Sequence, residues 1–283
     1  MKETRAEHLS VEKLRPFDGH PFKVVDNEEM DQLVWSILTQ GLLTPLVVRP
    51  LDNGEYEVIS GHRRLHACRK AGIQTVPALV YAIDRDAAAI ALVDSNLHRE
   101  RILPSEKAFA YKLKMDALKR QGQRTDLTSG QVGPKLRTDE EIAQDADDSA
   151  RQVKRYIRLT NLIPSILEKV DDGRIALTPA VELSYLTEAE QKDLLETMES
   201  EDCTPSLSQA IQLKQLSQAG KLDMDTIFGI LTQPKANQRE KISFRTDEVR
   251  KFFPKNYTPA QMQEVILKLL GEYQRKRQRS QER

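Results

Sequence analysis

Two short runs, residues 45 to 49 and 56 to 60, are rich in β-branched and aliphatic residues. They predict a pair of strands joined through Asn53-Gly54, which supplies the positive φ of a tight hairpin. Ahead of them, Met30, Leu33, Val34, Ile37 and Leu38 recur at helical spacing between residues 27 and 40. Asp26 or Asn27 can cap that helix and Gly41 can close it; Trp35 lies off the stripe and is expected to pack only in part. Residues 9 to 14 read as a short opening strand or turn, and 15 to 21 as an irregular loop. Past the second strand a glycine breaks the pattern. Residues 63 to 71 then read as a helix stopped by Gly72, 78 to 83 as a strand, and 86 to 97 and 105 to 120 as helices.

Beyond that point the large apolar residues thin out. Residues 122 to 137 are expected to be a flexible, positively charged linker separating a domain at 1–121 from one at 138–233. Thr138-Asp-Glu-Glu141 reads as a capping box opening a short helix to about Ala146; Asp147-Asp148 makes a turn, and a second helix runs from Ser149 to Leu159. Two short helices across so brief a turn suggest a helix-turn-helix, with Val153 and Ile157 facing inward. Further caps are expected at Thr187-Glu-Ala-Glu190 and Thr204-Pro205. The region 234–283 carries one strand at 241 to 245 and a last helix opened by Thr258-Pro-Ala-Gln261. Met262, Val265, Ile266, Leu269 and Tyr273 share a face of that helix, and a basic tail follows. The fold class expected is α+β, predominantly helical.

Composition narrows the function only slightly. The 43 basic and 43 acidic residues cancel, so affinity for nucleic acid has to come from local charge. It is present in the second helix of the pair. Residues 149 to 160 hold Arg151, Lys154, Arg155 and Arg158 with no acid, whereas 138 to 148 hold six acids and no base. In a helix-turn-helix the second helix enters the major groove, which directs Ser149, Arg151, Gln152, Lys154 and Arg155 toward bases and phosphates. Cys68 and Cys203 are too few for a zinc cluster and give no sign of a disulfide scaffold, so a reducing cytoplasm is expected. No stretch approaches the roughly 18 apolar residues of a membrane span.

The candidate chemistry lies at residues 61 to 67, Gly-His-Arg-Arg-Leu-His-Ala. Strand, glycine and helix start together form an anion site: the free N–H groups of the first turn face the ligand, and Arg63 and Arg64 add guanidinium forks suited to phosphate. Together with the segment at 41 to 50, Asp94-Ser-Asn-Leu-His-Arg-Glu100 and Leu103-Pro-Ser-Glu-Lys-Ala108, this loop resembles the N-terminal domain of the ParB/Spo0J partition family. That family reads Gly-Glu-Arg-Arg-x-x-Ala and Glu-Asn-Leu-Gln-Arg at the two central segments. The resemblance implies a ParB/sulfiredoxin-like nucleotide-binding fold and a CTP-dependent clamp. Such a clamp is a homodimer joined through its C-terminal region, loads at a palindromic DNA site, slides onto flanking DNA and is moved by a ParA-type ATPase. Carried onto this chain, Gly61, Arg63 and Arg64 would hold the triphosphate, Thr44 would sit near the base and Asn96 would ligate Mg2+. His62, His98 and Arg99 complete the nucleotide-binding set. The expected location is cytoplasmic and DNA-associated.

Two departures bear on hydrolysis. His62 and Ser95 stand where the family has the glutamates associated with turnover, so CTP hydrolysis is expected to be slow or absent, with His62, Asp94 and Glu100 the remaining groups near the loop. Two other readings use the same residues. A transcription regulator without clamp activity would bind one site sharply, and a sulfiredoxin- or serine-kinase-like phosphotransferase is disfavoured because His62 stands where sulfiredoxin has its cysteine.

Overall fold

The computed structural model describes residues 4–99, 101–126, 138–146, 148–233, 250–254 and 257–281. The chain divides into two compact units, Met1–Gln233 and Pro234–Arg283. The first begins with a five-stranded sheet built from β1 (Thr4–Ser10), β2 (Leu14–Pro16), β3 (Leu46–Pro50), β4 (Tyr56–Ser60) and β5 (Thr75–Tyr81), in the order β1-β5-β3-β4-β2. The β3–β4 hairpin is antiparallel, and Gly54 in its turn has φ +78°, as its sequence predicts. β2 straddles the end of the expected opening strand or turn and the start of the segment expected to be an irregular loop. Its pairing partner is β4, some forty residues away, so no local pattern announces it.

Helices cover both faces of the sheet. On one side α1 (Glu28–Gln40) and α2 (His62–Lys70) close a core around Leu14, Met30, Leu46, Val48, Val58, Leu65 and Val76. The α1 stripe is narrower than expected: Met30 and Ile37 are buried, whereas Leu38 is 60% exposed and Trp35 68%. Leu38 lies about 100° round the helix from Ile37, at the edge of the apolar face, so it meets solvent.

On the other side Ile59 joins α3 (Arg85–Leu97) and α4 (Pro104–Asp126) in a second core. That core extends into α5 (Thr138–Asp145) and α6 (Ala150–Arg158), taking in Ile142 and Val153 alongside Leu92 and Tyr111. One apolar cluster therefore spans the sheet half and the predicted helix-turn-helix. α4 continues to Asp126, inside the segment expected to be linker, while residues 127–137 lie outside those described.

A third core unites α7 (Pro164–Asp171), α8 (Leu177–Leu183), α9 (Glu188–Ser200), α10 (Leu207–Gln218) and α11 (Met224–Leu231). The capping box at Thr187 and Glu190 forms as predicted. The box opening α10 uses Ser206 and Gln209, two residues beyond the expected Thr204.

In the second unit α12 (Pro259–Gln281) follows a Thr258–Gln261 capping box, with Gln261 Oε1 accepting from Thr258 N at 2.9 Å. Met262 is buried, and Leu269 and Tyr273 are exposed. The strand expected at 241 to 245 lies outside the described residues.

Candidate nucleotide site and nucleic-acid interface

The site begins where β4 ends. Gly61 takes φ +104°, a left-handed conformation that side-chain-bearing residues rarely adopt, and it caps α2. Leu65 N donates to Gly61 O at 2.8 Å, so the N–H groups of residues 62 to 64 have no place in the helical ladder. A Cβ on Gly61 would meet Leu46 Cδ2 at 2.6 Å and the Arg64 guanidinium at 3.0 Å. The strand and helix approach each other too closely here for any other residue.

The two arginines of the loop point to different partners. Arg63 is half-buried and pairs with Glu29 at 3.1 Å. Arg64 turns back, and its Nη1 donates to the carbonyls of Thr44 (2.6 Å) and Pro45 (2.9 Å). It thereby ties the loop before β3 to the start of α2, and burial pushes its pKa down. Arg64 thus braces Thr44 against the start of α2, while Arg63 is drawn toward α1.

His62 does not face outward. Its Nε2 accepts from Phe17 N at 3.3 Å, and its ring stacks on His20 with centroids 3.7 Å apart. His20 in turn meets Phe22 edge to face, and the Arg99 guanidinium lies 5.2 Å above the Phe22 ring. The segment from Phe17 to Phe22 is therefore strapped across the helix start by aromatic contacts. Burial lowers the pKa of His62 to about 3, assisted by His20 and Arg99, and that of His20 to about 4. Both rings are neutral at pH 7. With its Nε2 accepting from Phe17 N and its ring packed on His20, His62 has its acceptor nitrogen engaged within the protein and its basicity lowered, which makes it a poor general base. His20 Nε2 is the buried side-chain atom without a hydrogen-bond partner among the described residues. The sequence marked residues 19 to 22, Gly-His-Pro-Phe, only as a departure from the Gln-Pro-Arg of the ParB family; a loop without periodicity gave no sign that His20 and Phe22 would pack against the helix start.

These shifts set an acid limit. Both folded-state values lie below the ordinary 6.5, so the unfolded chain binds more protons and stability falls as pH drops from about 6.5 to about 4 for His20 and to about 3 for His62. The expected loss is on the order of 2 kcal/mol after allowing for the rings' partial contact with solvent. Thermal melting between pH 7 and pH 4 checks it: a His20→Gln, His62→Gln chain should show a flatter profile, and an equally steep one would refute the assignment.

At the end of α3, Asn96 is 6% exposed, and its Nδ2 donates to Leu92 O at 2.7 Å and Ser95 Oγ at 3.2 Å. With the nitrogen committed to these acceptors, the amide oxygen is the atom left to meet a hard cation. One such oxygen suits a cation held mostly by phosphate and water. Asp94 is drawn away into an ion pair with Lys114. Glu100 lies outside the described residues, and no cluster of three or more acidic, His or Cys residues fit for a metal occurs among those described. His98 is exposed beyond the helix end, and Arg99 N donates to Asn96 O at 3.2 Å. Cys68 is buried and burial raises its pKa, so it offers no nucleophile for sulfiredoxin-type chemistry.

The second candidate surface is α6. Val153 is fully buried and Ile157 packs against the same core, which turns Arg151 and Arg155 outward. Ser149 Oγ accepts from Gln152 N at 3.2 Å, capping the helix. Arg155 donates to Gln152 Oε1 at 3.0 Å and to Thr178 Oγ1, at the start of α8, at 2.6 Å. Arg151 is exposed. Lys154 leaves this face and pairs with Asp139 of α5 at 2.9 Å, and so it is separated from the other four candidates. The turn between the helices closes without glycine: Asp148 N donates to Ala143 O at 3.1 Å, while Asp147 lies outside the described residues. Arg158, one turn on, stacks 3.8 Å from the Tyr185 ring, whose centroid lies 3.9 Å from Lys214 Nζ. That cationic sandwich is invisible to local pattern because its members are distant in sequence.

Residues 1–97 match the family model described as the ParB N-terminal domain. The probable chromosome-partitioning protein ParB of Vibrio cholerae is 29% identical over 252 residues, which cover 86% of this chain and 83% of that protein. The chromosome-partitioning protein Spo0J of Thermus thermophilus is 36% identical over 168 residues, covering 59% of this chain and 55% of that one. Among solved structures, the C-terminally truncated ParB from Caulobacter crescentus complexed with CTP-gamma-S aligns with a TM-score of 0.32 at 26% identity, over 68% of this chain and 99% of that chain. No helix among the described residues is long and apolar enough to cross a membrane.

Proposed function

We propose that the chain is a member of the ParB family and a DNA-binding partition protein whose hold on a palindromic site is governed by CTP at the α2 start. The observation that carries this reading is the left-handed Gly61 at the start of α2, where the N–H groups of residues 62 to 64 lie outside the helical ladder and Arg63, Arg64 and Arg99 lie close by. The free N–H groups and guanidiniums suit a polyphosphate. In the same compact unit α6 presents Arg151 and Arg155 for major-groove contact. Asn96 offers its amide oxygen to Mg2+, which when bound would neutralise phosphate charge. The exposed face of α12 is assigned to homodimerisation, and segregation would draw on a ParA-type ATPase. The four-part division at 121, 137 and 233 is retained as a functional one, with α4 carrying contacts from the nucleotide half into the reader half.

Turnover is assigned as slow or absent. His62 is neutral and packed under the Phe17–Phe22 strap, and Asp94 is held by Lys114, so neither orients an attacking water. The decisive measurement titrates CTP and Mg2+ against the full chain, with and without palindromic DNA, following dimer closure by crosslinking and phosphate release in parallel. Closure that depends on CTP, with phosphate release at the background rate, is the expected result. Closure indifferent to nucleotide would overturn the clamp and leave a site-specific regulator.

A further inference from the structure

α4 carries one fully buried charge. Lys114 is 1% exposed, and its ammonium donates to Asp94 Oδ1 of α3 at 2.5 Å and to Asp145 Oδ2 of α5 at 2.6 Å. The three helices it joins bury an apolar core that includes Leu92, Val93, Ala110, Tyr111, Ala117 and Ile142. Burial opposes the charge, yet the two carboxylate hydrogen bonds outweigh it and hold the lysine above its ordinary pKa. Lys114 is therefore a permanent cation between two carboxylates that are themselves 43% and 51% exposed.

Energetics argues against stability as the reason for this arrangement. A buried ion pair gains little over an apolar side chain of the same volume, because the desolvation cost consumes most of the attraction. A leucine or methionine would fill this place in the core as well. What an ionic triad adds is direction. It fixes which turn of α3 faces which turn of α5, where aliphatic side chains would tolerate sliding.

The two carboxylates also sit at informative positions. Asp94 is two residues before Asn96, the proposed cation ligand, and Asp145 is the last residue of α5, immediately before the turn into reader helix α6. A second tie on the same stretch of α4 reinforces the connection: Tyr111 donates to Asp148 in that turn, and Lys107 pairs with Asp148 at 2.7 Å.

We propose that Lys114 is the positioning residue through which occupancy of the nucleotide site alters the hold of the reader helix on DNA. The inference rests on the functional reading above. Lys114 touches neither ligand. It joins the helix that carries Asn96 to the base of α6, so a displacement of one carboxylate is imposed on the other. Coupling between two sites is a free energy and acts equally in both directions, so DNA should alter CTP affinity by the same factor as CTP alters DNA affinity.

The test compares the full-length chain with Lys114→Met. DNA selected by the wild-type chain from a random pool serves as probe, and DNA affinity and dissociation are measured with and without CTP and Mg2+. Wild type should show about a tenfold or larger change on adding CTP. Lys114→Met should keep each separate affinity within about threefold while the change falls below about twofold. A folded Lys114→Met that retains the wild-type ratio overturns the proposal. Should that variant fail to fold, Asp145→Asn removes one partner at a half-exposed position, and there a retained ratio is equally fatal. Wild type that binds CTP without altering DNA residence overturns the coupling alone, whereas wild type that binds no CTP overturns the functional reading beneath it.

Discussion

Gly61→Ala is expected to abolish nucleotide binding, lowering CTP affinity at least about 100-fold and destabilising the sheet half of the first unit. Two costs add. An alanine at φ +104° sits in the left-handed region, at about 1 kcal/mol or more, and its Cβ would lie 2.6 Å from Leu46 Cδ2. Leu46 is fully buried in β3 and cannot give way without moving the strand, so overpacking adds roughly 1–3 kcal/mol. The same Cβ presses on the Arg64 guanidinium, which would loosen its bonds to Thr44 and Pro45 and open the loop beside the phosphate site. Isothermal titration with CTP and Mg2+, alongside thermal melting, reads both effects. Leu46→Val in the Gly61→Ala background should recover part of the stability and little of the binding, because it relieves the clash and leaves the backbone strain. Wild-type CTP affinity in folded Gly61→Ala would remove this loop as the nucleotide site.

Replacing Arg151 and Arg155 together by alanine should reduce affinity for the cognate duplex by about 100- to 1000-fold at low salt, on the basis of roughly 1–3 kcal/mol for each well-made base contact. If either guanidinium meets phosphate instead, the slope of log affinity against log salt becomes shallower by about 0.9 for that contact. Thr178→Ala separates the two roles of Arg155, since it removes the tether at 2.6 Å and leaves the charge. Lys154→Ala is the internal control: its ammonium pairs with Asp139 away from the Arg151 face, and the loss should be several-fold at most. Fluorescence anisotropy on cognate and random duplexes gives all of these values. An undiminished affinity in the double variant would show that α6 is not the reader.

The periodicity of the chain determined a good deal. The β3–β4 hairpin, α1 and its caps, the glycine before α2 and the paired helices α5 and α6 all rest on contacts within a few residues, so the pattern that predicts them is the pattern that forms them. Motif order brought Thr44 and Gly61 into view together, and Arg64 is the side chain that lies between them. Tertiary structure decided everything that depends on distant partners. β2 exists because β4 lies beside it, and α4 continues to Asp126 past the end that composition suggested. His62 turned inward because Phe17 and His20, more than forty residues earlier, offered a bond and a ring. Lys154 left the reader face for Asp139, and Lys114, an ordinary surface residue by type, became the buried centre joining three helices. Local sequence sets which elements form, through spacing and caps. The direction in which a charged or aromatic side chain points is set by desolvation and partner geometry, which exist only once the chain has folded.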